Sequence, residues 1–504
     1  MDLPTLALWA QTDRDRVAVI EHDGTTYSTG DLIDASHRIA RNLRAAGVGV
    51  GDAVAVCLKN GPEVIKMALA TSQMGVYLVP VNRHLAGPEI AYILQDCGAK
   101  AVICSDSVAD KCAGTQAVQY VVGDVPAGGK PFEGLDSGDA SPIPDRTAGA
   151  TMTYTSGTTG KPKGVRRPLP PAPPEPIVSA YAAFLLMYGM QINSGVHLVV
   201  SPMYHTAVMY FATSAVHLGH TVVIMDKWTP EGMLDRIQEH RVTNTHMVPT
   251  QLVRLLDVED KERWDVSSLQ HMIHSAAPCP VHVKHAMLEW WGPCLYEYYA
   301  ASEGGGTMVT PQEWLERPGT VGKAWATAEI AIFDDDGHRL PPDAIGTVYI
   351  KMQQGFEYHE DKAKTEKAWR TDGFFTVGDC GYMDADGYLF LCDRKIDMII
   401  SGGVNIYPAE IESALIAHPR VRDVAAFGIP DPDWGEQVKA VVEPKGEVTE
   451  GLDAEIIAWA RTQLAHYKCP KSIDFAELPR DPNGKLRKRL LRDPYWADRG
   501  TQQI

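Results

Sequence analysis

An eleven-residue stretch at positions 154–164 carries the clearest chemical signal of the sequence. It reads YTSGTTGKPKG and contains four serine or threonine hydroxyls, three glycines and two lysines. Glycine leaves backbone N–H groups open to a ligand, hydroxyls donate hydrogen bonds, and ammonium groups neutralise negative charge. The spacing is not that of a Walker A loop, but the same groups can surround a chain of phosphates. The stretch predicts a polyphosphate-binding loop formed by Thr155, Ser156, Gly157, Thr158, Thr159, Gly160 and Lys161.

Together with further blocks, this loop resembles the adenylate-forming superfamily of acyl-CoA synthetases, luciferases and peptide-synthetase adenylation domains. The blocks occur in the superfamily's order over nearly the whole chain. They are SAAP (275–278), YAASE (299–303), TVGD (376–379), DRKIDMI (393–399), SGGVNIYP (401–408) and PRDPNGK (479–485). The resemblance implies an ATP-dependent enzyme that joins a carboxylic acid to AMP, releases pyrophosphate and then transfers the acyl group to coenzyme A.

The resemblance also implies a nucleotide site. The positions assigned to the adenine side of that site are Ser275, Ala276, Ala277, Pro278, Tyr298, Tyr299 and Ser302. Asp379 and Arg394 are assigned to the ribose, since a carboxylate accepts two hydrogen bonds from a diol and a guanidinium donates to the same sugar.

Three catalytic positions follow from the same resemblance. Glu303 is implied to hold Mg²⁺, with the Thr158 hydroxyl assisting. Lys485 is implied to lie between the substrate carboxylate and the α-phosphate, where a cation offsets the repulsion of two anions. His205 occupies a position near that carboxylate. The expected cofactors are therefore ATP and Mg²⁺, with coenzyme A as a co-substrate.

The thiol-transfer half of the reaction depends on the C-terminal blocks. Gly402 and Gly403 are implied to leave room for the pantetheine arm of coenzyme A, because glycine has no side chain. Ile396 departs from the aspartate or lysine that the superfamily usually has at its interdomain hinge. An enzyme that stops at the acyl adenylate and passes it to a separate thiolation partner or carrier protein is therefore the alternative. An amino-acid-activating domain is disfavoured, because residues 206–214, TAVMYFATS, lack an aspartate for the substrate ammonium group.

The predicted acyl pocket is apolar. Its candidate residues are Tyr204, His205, Met209, Gly304 and Gly305. The glycines that follow Glu303 are interpreted as leaving room for a long or bulky acyl group. A fatty acid is the first expectation, and an aromatic or polycyclic acid is the second.

The elements that must position these residues alternate between helical patterns and short apolar runs. The candidate strands are AVAVCL (53–58), VYLVPV (76–81), HLVVS (197–201), TVVIM (221–225), THMVP (245–249) and HMIHS (271–275). This alternation is typical of an α/β fold with mainly parallel strands. We expect a large N-terminal domain, residues 1–392, with two α/β sheets and a small antiparallel β subdomain. A smaller, mobile α+β domain, residues 393–504, would carry the catalytic lysine. His246 and His274 are interpreted as core residues.

The bulk composition excludes several classes of protein. With 504 residues and 45% hydrophobic content the chain is long enough for several globular domains. A net charge of −17 disfavours nucleic acid as a partner. The nine cysteines form no C-x-x-C pair, which argues against a disulfide framework or a structural zinc site. Since neither a membrane span nor a signal peptide is evident, we expect a cytoplasmic protein without an integral membrane segment. We also expect a homodimer, because homodimers are the commonest oligomers.

One low-complexity segment interrupts this pattern. Residues 168–176, PLPPAPPEP, are rich in proline, which fixes the backbone in extended conformations. We expect an extended surface loop there.

Overall fold

The computed structural model describes residues 3–155, 162–394, 397–402, 404–480 and 486–497, and for Asp393 and Arg394 the backbone only. The first elements are α1 (Leu6–Thr12), β1 (Val17–Ile20), β2 (Thr26–Ser28), α2 (Thr29–Ala45), β3 (Ala53–Cys57), α3 (Pro62–Thr71), β4 (Tyr77–Pro80), α4 (Gly87–Asp96), β5 (Ala99–Ser105), α5 (Ala109–Cys112), β6 (Val118–Val122), β7 (Lys130–Pro131), β8 (Ala150–Thr151), β9 (Thr153–Thr155) and β10 (Lys163–Arg166).

The middle of the chain continues the alternation of helices and strands. Its elements are α6 (Pro174–Leu186), β11 (Val196–Val199), α7 (Thr206–Leu218), β12 (Thr221–Ile224), α8 (Pro230–His240), β13 (Asn244–Met247), α9 (Pro249–Leu256), β14 (His271–His274), α10 (Val281–Trp291), β15 (Leu295–Ala300), β16 (Gly306–Val309), α11 (Pro311–Glu316), β17 (Lys323–Ala324), β18 (Ala328–Phe333), β19 (Gly346–Met352), β20 (Glu357–Tyr358), α12 (Lys362–Ala368), β21 (Phe374–Phe375), β22 (Asp379–Met383) and β23 (Leu389–Arg394).

The last part of the chain forms its own sheet. Its elements are β24 (Ile399–Ser401), β25 (Val404–Ile406), α13 (Pro408–Ile416), β26 (Val421–Asp431), β27 (Gly435–Pro444), α14 (Leu452–Gln463), β28 (Ser472–Phe475) and α15 (Lys488–Trp496). The strand order is β25-β24-β27-β26, and β28 pairs with β27. This sheet packs its apolar face against helices α13 and α14 through Ile411, Leu415 and Ile456, all fully buried.

Two large sheets build the N-terminal part. One has the order β7-β6-β5-β3-β4-β8, and the other has the order β17-β16-β15-β14-β13-β11-β12-β1-β2. Strands β11, β13, β14 and β15 of the second sheet pair in parallel. The carboxyl ends of parallel strands lie at one edge of a sheet, which is where ligands bind in α/β folds. The segments that follow β11, β14 and β15 are those that contain His205, Ser275 and Glu303.

Helix α2 illustrates why these elements form where they do. The Ser28 hydroxyl accepts a hydrogen bond from the Asp31 amide, and the Asp31 carboxylate accepts one from the Ser28 amide, so the first turn is capped. The helix then buries Leu32, Ile39 and Leu43 completely. Full burial of each such side chain contributes roughly 1.5–3 kcal/mol.

Two smaller antiparallel sheets complete the part of the chain that precedes the C-terminal sheet. One has the order β20-β10-β9, and the other has the order β18-β19-β22-β23 with β21 paired to β19. The turn at Asp386-Gly387 joins β22 to β23 as a hairpin. The turn at Asp336-Gly337 exists, but it lies within the longer connection between β18 and β19.

The proline-rich segment differs from its prediction at one end. Helix α6 begins at Pro174, so residues 174–176 form its first turn instead of extending the loop. Proline is compatible with a first helical turn, where its missing N–H would have no partner within the helix.

The expected domain boundary at 392/393 falls inside β23, which runs to Arg394. Along the described ranges, the structure contains no helix with the length and apolar character of a membrane span.

Candidate active site

The predicted phosphate loop connects two paired strands. Strands β9 and β10 are antiparallel, and Thr155 lies opposite Lys163. Residues 156–161 lie outside the described residues, so the predicted contacts of Ser156, Gly157, Thr158, Thr159, Gly160 and Lys161 stay predictions. The hydroxyls of Thr153 and Thr206 lie 2.6 Å apart and tie this hairpin to the start of α7.

Glu303 lies at the side of this hairpin. Strand β20 pairs with β10, with Val165 opposite Tyr358. The Tyr358 hydroxyl donates a hydrogen bond of 2.8 Å to Glu303 Oε1, and Lys163 Nζ lies 4.9 Å from the centre of the Tyr358 ring. Glu303 itself is buried. The structure thus brings a carboxylate to the hydroxyl of Tyr358 and a lysine to its ring.

The environment shifts the pKa values of both Lys163 and Tyr358. Burial and the nearby Lys364 lower the pKa of Lys163 to about 8. Burial and the Glu303 charge raise the pKa of Tyr358, so its hydroxyl stays protonated and donates. The sequence analysis missed Tyr358, because a two-residue strand outside the matched blocks gives no pattern.

The residues predicted to face adenine form a connected group. Ser275 Oγ lies 3.1 Å from His246 Nε2, and the Tyr298 hydroxyl lies 2.9 Å from the same nitrogen. Burial lowers the pKa of His246 to about 3, so the ring is neutral at ordinary pH. His246 and His274 are both buried in the core, as expected.

The backbone after β14 has an unusual conformation. Ala276 has φ of +76°, a region that alanine rarely occupies, and its side chain is exposed. Such strain costs on the order of 1–3 kcal/mol and persists where the surroundings enforce it, often at binding sites. Ala277 is partly exposed and Pro278 is exposed, so this segment lies at the protein surface.

The predicted ribose and adenine residues meet directly. The Tyr299 hydroxyl donates a hydrogen bond of 2.6 Å to Asp379 Oδ2. Asp379 begins β22 and lies opposite Arg394 of β23. The side chain of Arg394 lies outside the described residues, but the backbone register brings its position next to Asp379.

The predicted acyl residues are only partly brought together. His205 precedes α7, and its ring centre lies 4.4 Å from that of Tyr204. Met209, one turn further along α7, lines a cavity of about 80 Å³. The cavity is also lined by Tyr181 of α6 and by Thr206 and Tyr210 of α7, whereas Tyr204 does not line it.

The interpretation of Gly304 and Gly305 as free space for an acyl group is wrong. A Cβ atom on Gly304 would lie 2.5 Å from Met352 Sδ, and one on Gly305 would lie 2.4 Å from Ile350 Cγ2. Gly304 has φ of +120° and Gly305 has φ of +70°. These glycines therefore allow a tight turn against β19, and the space that their side chains would take is filled by Met352 and Ile350.

Arg167 and the C-terminal glycine complete the arrangement. Arg167 Nη2 donates a hydrogen bond of 2.7 Å to the carbonyl oxygen of Ser302, which is exposed. In the C-terminal domain, Gly402 has φ of +57°. A Cβ atom on Gly402 would lie 2.4 Å from the ring of the exposed Trp434. Gly403, Lys485 and the hinge position Ile396 lie outside the described residues.

Comparison with known protein families shows the family to which the chain belongs. A family described as AMP-binding enzyme matches residues 6–357, and its C-terminal domain matches residues 410–485. The chain belongs to the AMP-binding enzyme family. The superfamily predicted from the sequence blocks is therefore confirmed.

Relatives in this family agree with the predicted reaction class. The long-chain-fatty-acid–CoA ligase FadD13 of Mycobacterium tuberculosis is 33% identical over 475 residues, which cover 92% of either chain. The feruloyl-CoA synthase of an Amycolatopsis species is 32% identical over 485 residues, 94% of this chain and 95% of the relative. The predicted enzyme class, an AMP-forming acid–thiol ligase, is confirmed.

A solved structure confirms the predicted fold class. ATP-bound MatB from Rhodopseudomonas palustris has a TM-score of 0.84 and 28% identity, covering 97% of this chain and 99% of that chain. The α/β architecture with a large N-terminal part and a smaller C-terminal domain is shared over nearly the full length.

Proposed function

We propose that this AMP-binding enzyme adenylates an apolar, ring-containing or fatty acid at the site around Glu303 and then transfers the acyl group to coenzyme A. The observation that carries the proposal is the contact of Tyr358 with both Glu303 and Lys163. It places a carboxylate and a cation beside the hairpin that carries the phosphate loop. Such a pair is needed where a polyphosphate and its metal ion are bound together.

The nucleotide lies, in this proposal, between two groups of side chains. The segment 275–278 and Tyr299 contact the adenine ring, and Asp379 and Arg394 bind the ribose hydroxyls. Support comes from the hydrogen bond between Tyr299 and Asp379, which fixes the aromatic ring relative to the carboxylate. The exposed position and the strained backbone of Ala276 also support a binding role for this segment.

The donor set at Glu303 fits Mg²⁺, a hard cation that prefers oxygen ligands. Glu303 Oε1 accepts from Tyr358, which leaves Oε2 for a ligand. Glu303 and the Thr158 hydroxyl would hold the ion, which supplies charge neutralisation for the triphosphate when bound. Lys161 and Lys163 contribute further positive charge at the β- and γ-phosphates.

The chain's own residues then serve two consecutive steps. In the first step a carboxylate oxygen of the acid attacks the α-phosphorus and pyrophosphate leaves, while Lys485 offsets the charge where the anions meet. His205 orients the acid. In the second step the thiol of coenzyme A attacks the acyl carbon and AMP leaves. Gly402 and Gly403 are assigned to coenzyme A binding, and the second of them is the position that the pantetheine arm passes.

The acyl group extends, in this proposal, along α7 towards the cavity at Met209. Tyr181 and Tyr210 pack edge to face in the cavity wall, with ring centres 5.3 Å apart. A volume of about 80 Å³ is small compared with the roughly 300–1,000 Å³ of pockets that enclose a drug-sized ligand. A compact aromatic acid therefore fits with less rearrangement than a long chain. The names of the relatives, a fatty-acid ligase and a feruloyl-CoA synthase, support an apolar acid of either kind.

The test uses purified protein with ATP, Mg²⁺ and a panel of fatty, aromatic and polycyclic acids. Pyrophosphate and acyl-CoA are measured separately, with and without coenzyme A. We expect pyrophosphate and acyl-CoA in equal amounts with one class of acid, and more product from compact aromatic acids than from long-chain acids. Pyrophosphate without thioester would contradict the transfer step, and no pyrophosphate with any acid would contradict the proposal as a whole.

Assembly and location stay predictions. The expected homodimer is tested by light scattering of the purified protein, and the expected cytoplasmic location is tested by cell fractionation.

A further inference from the structure

Arg167 holds a fixed position beside the turn that carries Glu303. It follows β10 directly, and its backbone carbonyl oxygen accepts a hydrogen bond of 2.9 Å from the Tyr77 hydroxyl. Its side chain crosses to the other sheet, where Nη2 donates to the carbonyl oxygen of Ser302 at 2.7 Å. Arg167 is thus held by one hydrogen bond at its backbone carbonyl and by a second at its guanidinium.

The absence of a side chain at Gly304 permits this approach. A Cβ atom there would lie 3.3 Å from Arg167 Nη2, closer than most side-chain contacts, and 2.5 Å from Met352 Sδ. The guanidinium therefore lies against the backbone of the turn that contains the predicted metal-binding glutamate.

The charge of Arg167 has no carboxylate partner within ion-pair distance in the described part of the chain. Other cations that are largely buried do have one: Lys284 lies 2.6 Å from Glu297, Lys66 lies 2.9 Å from Asp136, and Lys439 lies 2.9 Å from Asp474. Burial lowers the pKa of Arg167, which shows that its surroundings disfavour the charge. A guanidinium has five N–H donors, and the anchoring bond to Ser302 uses one of them.

Arg167 also interacts with a residue of the cavity wall. Tyr181, which acts electrostatically on Arg167, lines the cavity that Met209 lines. Glu303 also acts electrostatically on Arg167. The guanidinium is therefore near both a residue of the cavity wall and the carboxylate assigned to the metal ion.

We propose that Arg167 is an active-site residue that binds an anionic oxygen of a substrate through its remaining N–H groups. The carboxylate of the acid is the favoured source, because Tyr181 connects Arg167 to the cavity, and a phosphate oxygen of ATP offers the same chemistry. This inference rests on the proposed function for the location of the acid. The neighbouring Arg166 has a different role, since it stacks on Tyr77 at 4.7 Å and lies 4.0 Å from Glu357.

Three variants of the full-length protein test the proposal. Arg167→Gln keeps an N–H group for the Ser302 carbonyl but removes the charge, and Arg167→Lys keeps the charge but removes the planar fork. Arg166→Gln is the matched control in the next position. Titration calorimetry measures the affinity for ATP with Mg²⁺ and without acid, and steady-state kinetics give KM and kcat for the acid that the wild type converts best.

We expect Arg167→Gln to raise KM for the acid about 10- to 100-fold, which corresponds to the loss of a charged hydrogen bond. Arg167→Lys should recover part of this loss, and the affinity for ATP should stay within about twofold. If the affinity for ATP falls instead and KM for the acid does not change, a phosphate oxygen is the bound anion. Either result supports an anion-binding role.

The proposal is overturned if Arg167→Gln and Arg167→Lys leave both quantities unchanged, or if Arg166→Gln has the same effect. Thermal unfolding identifies variants that lose activity because they do not fold. A wild-type protein that releases no pyrophosphate with any acid contradicts the proposed function. Normal turnover with unchanged constants in Arg167→Gln contradicts only this inference.

Discussion

The hydroxyl of Tyr299 donates a hydrogen bond of 2.6 Å to Asp379 Oδ2 across a separation of 80 residues. Tyr299 lies on β15 of the nine-stranded sheet, and Asp379 begins β22 of a smaller antiparallel sheet. One bond therefore links two sheets and orients two side chains that we assign to the same nucleotide.

Removing this hydroxyl tests the nucleotide site. We expect Tyr299→Phe to raise KM for ATP about 3- to 10-fold with a smaller change in kcat, because a hydrogen bond to a carboxylate is lost while the ring remains. Tyr382→Phe, in the same strand as Asp379 and stacked on Phe390, is the control. An unchanged KM for ATP in Tyr299→Phe would show that the bond has no part in nucleotide binding.

The pair formed by Tyr358 and Glu303 gives a second prediction. Glu303→Gln retains the size and the acceptor for Tyr358 but removes the charge, so we expect pyrophosphate release to fall about 100-fold or more. Tyr358→Phe should have a smaller effect, with roughly a 3- to 10-fold higher Mg²⁺ concentration needed for half-maximal activity. Rates measured over a Mg²⁺ titration give both numbers.

The matched control for that experiment is Tyr388→Phe. The Tyr388 hydroxyl donates a hydrogen bond of 3.0 Å to Glu313 Oε1. This is a second tyrosine–glutamate pair, which we do not assign to the site. If Tyr388→Phe shifts the Mg²⁺ requirement as much as Tyr358→Phe does, then a general loss of stability accounts for the effect.

Buried histidines predict a loss of stability in acid. Burial lowers the pKa of His197 and His217 to about 4 and that of His246 to about 3. The unfolded chain takes up protons on these rings as the pH falls below about 6.5, whereas the folded chain does not. Their contribution to stability is therefore complete above about pH 6.5 and is lost as the pH falls towards 4, by up to about 1.4 kcal/mol per pH unit for each ring.

Thermal unfolding between pH 7 and pH 4.5 measures this slope. In the wild type, His217 Nδ1 accepts a hydrogen bond of 3.3 Å from the Leu6 amide. The substitution His217→Asn keeps an acceptor for this amide and should reduce the slope of stability against pH. His338→Asn, at an exposed side chain, should not change it. Equal slopes in the wild type and in His217→Asn would contradict the prediction.

Gly402 provides a test of the thiol-transfer step. We expect Gly402→Ala to lower acyl-CoA formation about tenfold or more while pyrophosphate release continues, because φ of +57° disfavours alanine and its Cβ would meet the Trp434 ring at 2.4 Å. Gly446→Ala is the control, since Gly446 has φ of +82° in the same domain and open space around it. Equal losses of both products in Gly402→Ala would instead indicate damage to the domain.

Much of the site could be predicted from short blocks of sequence. The phosphate loop, Tyr299, Glu303 and Asp379 all lie in such blocks, and the structure brings two of them, Tyr299 and Asp379, into direct contact. Tyr358 and Arg167 could not be found in this way, because they reach Glu303 and Ser302 from segments without a pattern. The role of Gly304 was misjudged for a related reason: a glycine shows that a side chain is missing, but not which neighbour fills the space.

By itself, the sequence determined the alternation of strands and helices along the chain, which depends on local periodicity. Through the resemblance of its motif blocks to a known superfamily, it also determined the class of reaction. Only the tertiary structure decided that Tyr299 meets Asp379, that Tyr358 holds Glu303, and that Arg167 lies beside Ser302. These contacts join residues far apart in the chain, and they form when the packing of separate sheets fixes the distance and direction between their side chains.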